Sequence, residues 1–175
     1  AIASENGVPR VVVAARTDVP LSAAATDLEI AARILAGGRS SRLYRRLVIT
    51  DQIASDVGMS IAPHRGGGEV LLAVTARDPS SAPEIAKAVS EEIAALIGRG
   101  VTAAELARAK THAIAELVTA LEDLSFRAEI IAAWTAYGGG DLLAARTRID
   151  QVTAESVQSS AKIWLAHVVT ATVTP

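Results

Sequence analysis

Cysteine is absent from the 175 residues. That removes disulfides, iron–sulfur clusters, thiolate zinc sites and a cysteine nucleophile together, and it leaves the compartment undecided. Aromatic residues make up only 3% of the chain, so a core must be built from Ala, Leu, Ile and Val, whose small side chains require close packing. Neither sign of charge dominates. Seventeen Lys and Arg against 19 Asp and Glu give a net charge of −2, too balanced for an electrostatic footprint on nucleic acid or an anionic membrane. Partners are therefore expected to be proteins or peptides. No run approaches the roughly 18–20 apolar residues that cross a bilayer, and no basic-then-apolar signal segment opens the chain. The chain begins at Ala1 instead of methionine, as a processed chain or an excised fragment would.

The length suits one domain with a single sizeable core. The β-branched run Val11–Val12–Val13 within Arg10–Arg16 reads as a buried strand. Between Ser22 and Ala36 the pattern turns helical, with Leu28, Ala31, Ala32 and Leu35 on one stripe and Gly37–Gly38 as the stop. A second helix is expected at once, capped by Ser40 or Ser41, with Leu43 and Leu47 one turn apart. Residues Ile53–Ile61 alternate, placing Val57, Met59 and Ile61 on one face, and the apolar run Glu69–Arg77 follows a turn-rich Pro63–Gly68. A hairpin of two central strands results. Ser81 and Glu84, then Thr102 and Glu105, have capping-box spacing. The second box opens one long helix reaching towards Tyr137, with Ile114, Leu117, Leu121, Leu124, Ala128 and Ile131 along a stripe read as the face laid on the sheet, a partner interface with Phe126 and Trp134 being the alternative. A last helix capped by Thr153 leads into the strand Val168–Val173. Grouped strands and helices, with a hairpin as the clear strand connection, predict an α+β fold. Its architecture is a two-layer sandwich, with a mainly antiparallel or mixed sheet covered on one face by helices.

Candidate chemistry is sparse. His64, His112 and His167 are far apart, whereas a zinc peptidase helix needs two histidines one turn apart to aim both imidazoles at one ion. His112 and Glu116 at i, i+4 are the nearest approach, and a polar helix face explains them without a metal. No Gly-x-Ser-x-Gly elbow is present, so no triad is assigned. Gly37–Gly38–Arg39–Ser40–Ser41 can be drawn as an anion cradle, but a helix stop abutting a serine cap accounts for it as well. The cluster Arg39, Arg42, Arg45 and Arg46 reads as a solvated face or a surface for an acidic partner.

These segments carry a resemblance. Leu35-Ala36-Gly37-Gly38-Arg39-Ser40-Ser41-Arg42-Leu43-Tyr44, followed by Leu47-Val48 and Asp51-Gln52-Ile53-Ala54, resembles the helix–turn–helix–strand segment of pitrilysin/insulinase-family zinc peptidases. Gly100–Lys110 resembles the family's lead into its long helix, and Val152–Val157 with Trp164–Leu165 its C-terminal end. The likeness spans the chain and implies a metallohydrolase domain like those of LuxS and mitochondrial processing peptidase. Gly37, Gly38, Ser40, Ser41, Arg42, Leu43 and Tyr44 would be its structural motif.

The resemblance further implies a subunit of two similar domains, with zinc held by an inverted His-x-x-Glu-His motif in the N-terminal one. That motif is not in this sequence, so no catalytic residue, metal ligand or cofactor is assigned to the chain itself. A second half in such peptidases supplies an arginine and a tyrosine seven residues apart for substrate. The matching positions here are Val48 and Ser55, so the resemblance implies the zinc-bearing half and not the half that supplies the pair. The expected role is that of a non-catalytic C-terminal domain, inactive alone, that helps form a closed chamber for peptide substrates. Its partners would be the N-terminal catalytic domain and a second subunit carrying the Arg/Tyr pair. Alternative readings are a structural or assembly domain of a family member without catalysis, and an anion-binding domain using Gly37 to Arg42. A bacterial periplasmic or secreted location is compatible with the resemblance.

Overall fold

The computed structural model describes residues 2–3, 9–17, 22–64, 67–136 and 144–174. Strands β1 (Ile2–Ala3), β2 (Arg10–Thr17), β3 (Ala54–His64), β4 (Gly67–Ala76) and β5 (Val169–Thr174) form one sheet in the order β1-β5-β2-β4-β3. All neighbours are antiparallel except β1 and β5. The helices are α1 (Ala23–Ala36), α2 (Ala82–Arg99), α3 (Ala103–Glu122), α4 (Leu124–Ala136), α5 (Ala144–Gln151) and α6 (Ala154–Trp164). The expected α+β architecture is present.

Strand alternation decides which side the helices cover. Val11, Val13 and Ala15 of β2 lie opposite Val74, Leu72 and Val70 of β4, and all six are buried. The intervening Val12, Ala14, Leu71 and Ala73 are only partly buried. Helix α1 packs on β2, β3 and β4 and is flanked by α6 and α3, while α2 lies on β2 and β4. Leu28, Ile30 and Leu35 of α1, with Ile85, Val89 and Leu96 of α2, have almost no exposed surface. Each such side chain contributes about 1.5–3 kcal/mol of transfer free energy. The aliphatic, aromatic-poor core is thus closed by small residues such as Ala31, Ala32 and Ala88.

Several local expectations change. Ser22 caps α1 through Ala25 N–H, and Thr102 and Thr153 cap α3 and α6, each within a reciprocal box. The Ser81–Glu84 box does not form: Ser81 is helical and caps nothing, and Asp78 instead accepts from Ser80 N–H ahead of a single 3-10 turn. The expected second helix is a π-helical segment at Tyr44–Thr50, without a serine side-chain cap. Its Leu43 and Leu47 are buried as the spacing requires. Wide i→i+5 turns end on Gln52, which takes a left-handed backbone (φ 56°) as the chain turns into β3. The strands of the hairpin run further into the turn-rich stretch than expected, through His64 and from Gly67, and residues 65–66 of its tip lie outside the described residues.

The largest correction concerns the long helix. It divides at Asp123, whose backbone is extended and whose carboxylate accepts from Phe126 N–H, starting α4 as a separate helix. An aspartate at such a position ends one helix by capping the next. Only Ala109 and Ala113 of α3 are buried. Beyond them the expected core stripe leaves the sheet: Leu124 is 71% exposed and Ile131 49%. The Gly138–Gly140 stop lies outside the described residues.

Candidate functional site

Two features stand out where α1, α3 and the 37–41 turn meet. The first is a set of ion pairs joining elements distant in sequence. Arg33, in the last turn of α1, pairs with Glu29 one turn earlier and with Glu116 of α3. His112 Nδ1 lies 3.4 Å from Arg33 Nη1 and 3.3 Å from Glu116. The guanidinium therefore sits where a metal held by His112 and Glu116 would have to be. Burial works against its charge, but the carboxylates of Glu29 and Glu116 outweigh that and hold its pKa above the usual range. Among the described residues no group of three or more His, Cys, Asp or Glu is placed to hold a metal ion.

One helical step away, Arg42 donates from Nε to Glu105 Oε1 at 2.7 Å and from Nη2 to Oε2 at 2.9 Å, and also to the carbonyl of Gly100 at 3.0 Å. Glu105 simultaneously accepts from Thr102 N–H within the capping box. The Arg42 hydrogen bonds, opposed by burial and helped by Thr102, bring the Glu105 pKa down to about 2. Arg46 pairs with Glu91 and Glu92 of α2 and with Asp51. The acidic surface that Arg42 and Arg46 meet therefore belongs to α2 and α3 of the same chain. Arg39 and Arg45 remain exposed.

The motif residues have distinct places. Leu43 and Ser41 are buried, Tyr44 packs against the core, and Ser40 and Gly38 are exposed. Gly37 N–H donates to Arg33 O and Gly38 N–H to Ala36 O, so the glycine amides end α1 and are not presented as an anion cradle. Val48 packs against the core, while Ser55 is exposed on β3 and donates to Thr75 O. His64 lies beside Glu69 at 3.7 Å across the hairpin, far from the His112 group in the chain, and His167 closes the 3-10 turn before β5.

The second feature overturns the reading of the long helix's stripe as a face laid on the sheet. Because the distal half of α3 and all of α4 stand away from the sheet, a cleft of about 730 Å³ opens beneath them. Its floor includes Ile61, Gly68 and Val70 of the hairpin. One wall is Ala25, Glu29 and Arg33 of α1, and the other includes Leu117 and Ala120 of α3 with Phe126, Ile130 and Ala133 of α4. Helix α4 carries apolar residues all round its axis, and Leu124, Phe126 and Ile131 are exposed. A helix with no polar face is normally covered on every side. Its sequence, Leu-Ser-Phe-Arg-Ala-Glu-Ile-Ile-Ala-Ala-Trp-Thr-Ala, held that signal, masked by its continuity with the stripe of α3.

Residues 8–112 match the family model described as "Peptidase M16 inactive domain". The fold is shared with the inactive peptidase domain of a candidate zinc protease from Bordetella parapertussis, at 21% identity and a TM-score of 0.84, covering 99% of this chain and 94% of that one. It is shared too with a protease from Helicobacter pylori, at 17% identity and a TM-score of 0.87, covering 99% of this chain and 43% of that one. A chain of complex III2 from Candida albicans, at 17% identity, gives a TM-score of 0.85 over 98% of this chain and 44% of its own. The chain thus spans less than half the length of the latter two. No curated protein matches it.

Proposed function

Because the chain belongs to the peptidase M16 inactive-domain family, we propose that it is the non-catalytic C-terminal domain of a zinc-dependent endopeptidase, helping to wall a closed substrate chamber and to make contacts between halves. The observation that carries this reading is the apolar surface of α4 and the cleft beside it, exposed on a fold that makes up less than half of the Helicobacter protease chain. Exposed apolar patches of this kind mark surfaces that pair with protein. No helix among the described residues is long and apolar enough to cross a membrane.

Zinc would then be held by an N-terminal domain of the same subunit. Val48 and Ser55, at the positions of the Arg/Tyr pair, favour the zinc-bearing half over the half that supplies that pair. Peptide substrates would meet this domain as a wall, with no group of its own in the bond-breaking step. The test compares this chain with the complete product of its gene in zinc content and cleavage of a fluorogenic peptide. Stoichiometric zinc or cleavage in this chain alone overturns the reading.

The likeness to a chain of complex III2 favours a second reading, a structural domain in a family member without catalysis. The complete gene product separates the two: an inverted His-x-x-Glu-His motif that binds zinc supports the peptidase reading, and its absence supports the structural one.

A further inference from the structure

The last turn of α1, the 37–41 turn and the middle of α3 enclose a cavity of about 80 Å³, separate in chemistry from the apolar cleft. Ser41 lines it. The residue is only 4% exposed, and its Oγ has no hydrogen-bond partner among the described residues. Buried hydroxyls are rarely left so, because each lost the water it bonded in the unfolded chain. Arg33, Arg108, His112, Ser40 and Glu105 stand around the same space.

Those charges are not equally available. Arg33 is engaged by Glu29 and Glu116, and Glu105 by Arg42 and Thr102. Arg108 lies one turn before His112 on α3 and makes no ion pair among the described residues. His112 turns Nδ1 towards Arg33 and Glu116, which leaves Nε2 uncommitted by those contacts. The lining therefore offers one buried hydroxyl without a partner among the described residues and one guanidinium outside any ion pair. The charge of Arg108 disfavours a metal cation. Liquid water takes about 30 Å³ per molecule, so a volume of about 80 Å³ takes two or three waters or one compact polyatomic group.

We propose that this cavity binds a small oxyanion, held by a hydrogen bond from Ser41 Oγ–H and by the charge of Arg108. Recognition is by side chains, because the amides of Gly37 and Gly38 are already spent on α1. Inorganic phosphate and the terminal carboxylate of a peptide share the required chemistry. The inference does not depend on the chamber reading, since it concerns this chain alone.

Thermal denaturation of the chain in inorganic phosphate, against sodium chloride of equal ionic strength, tests it. At tenfold saturation the melting temperature is expected to rise by about 3–5 °C. Ser41→Ala and Arg108→Ala should abolish the rise, and Arg39→Ala on the adjoining turn should keep it. In chloride, Ser41→Ala should melt at or above the native temperature, because the hydroxyl it removes has no internal partner. A fall of several degrees there overturns the proposal. Arg108 is on the surface, so its variant folds whatever becomes of Ser41. A tripeptide acid compared with its amide identifies the source: stabilisation by the acid alone assigns a peptide terminus, and stabilisation by phosphate alone assigns a free oxyanion. No rise with either probe, or a rise that survives both substitutions, overturns the site.

Discussion

The guanidinium of Arg42 holds the Glu105 carboxylate at two points, 2.7 Å and 2.9 Å, and pins the Gly100 carbonyl with the same nitrogen that makes the second contact. One side chain thereby fastens the π-helical segment to the start of α3. Glu105 ionises at about pH 2 in the folded chain, against an ordinary 4.5. A depressed carboxylate pKa stabilises the fold above the unfolded value and loses that contribution as pH falls towards the folded one. Stability should thus decline between roughly pH 5 and pH 2. Arg42→Ala should cost about 2 kcal/mol at pH 7, because the charge-assisted pair it breaks is only 18% exposed on either side, and much less near pH 2. Urea unfolding across that pH range reads both.

Gly37 is required for space, not for backbone freedom. Its φ is −83°, open to any residue, but a Cβ there would stand 2.6 Å from the carbonyl oxygen of Arg33. Gly37→Ala should cost about 2–3 kcal/mol, as overpacking against backbone does. Gly100 is the opposite case. Its φ is 72°, and an added Cβ meets only Gln158 at 3.5 Å. With ψ at −155° the conformation is close to glycine-only, and Gly100→Ala should cost about 1–3 kcal/mol through backbone strain alone. Calorimetric melting should show both variants less stable than the native chain.

Arg33 sits between two carboxylates with only 12% of its side chain exposed. Arg33→Met should cost about 1–3 kcal/mol, because Glu29 and Glu116 then face each other without a cation. Glu116→Gln should cost under about 0.5 kcal/mol, since that side chain is 53% exposed and Glu29 still balances the arginine. Chemical denaturation at low salt checks the pair.

The apolar residues of α4 should separate stability from assembly. Leu124→Asp and Ile131→Asp alter exposed positions and should change the stability of the isolated chain by no more than about 0.5 kcal/mol. Leu72→Ala, in the closed core, should cost about 2–5 kcal/mol. If α4 is a contact surface, the two aspartate variants should weaken association with the rest of the parent protein by tenfold or more. Titration calorimetry measures that loss, and unchanged affinity would remove α4 from the interface.

Periodicity made most elements legible. Three valines in β2, the alternation of Val57, Met59 and Ile61, and the stripe of Leu28, Ala31, Ala32 and Leu35 each report a face through short-range geometry. The Thr102 and Thr153 caps were legible for the same reason, because donor and acceptor lie within one turn. Ser81 showed the limit: its spacing to Glu84 was right, yet Asp78 had already started the turn. The break at Asp123 was hidden because the apolar spacing runs through it.

By itself the sequence determined the α+β class, the strands β2 to β5, the buried face of α1, and the motif segments that resemble a peptidase domain. All of these depend on residues within a few positions of one another. Tertiary structure alone decided that Arg42 meets Glu105, that Arg33 takes the place beside His112 and Glu116, and that α4 stands off the sheet over a cleft. Those outcomes depend on where α1, α3 and the hairpin come together. The charges concerned are 63 and 83 residues apart, a separation over which local spacing carries no information and packing of the aliphatic core sets the distance.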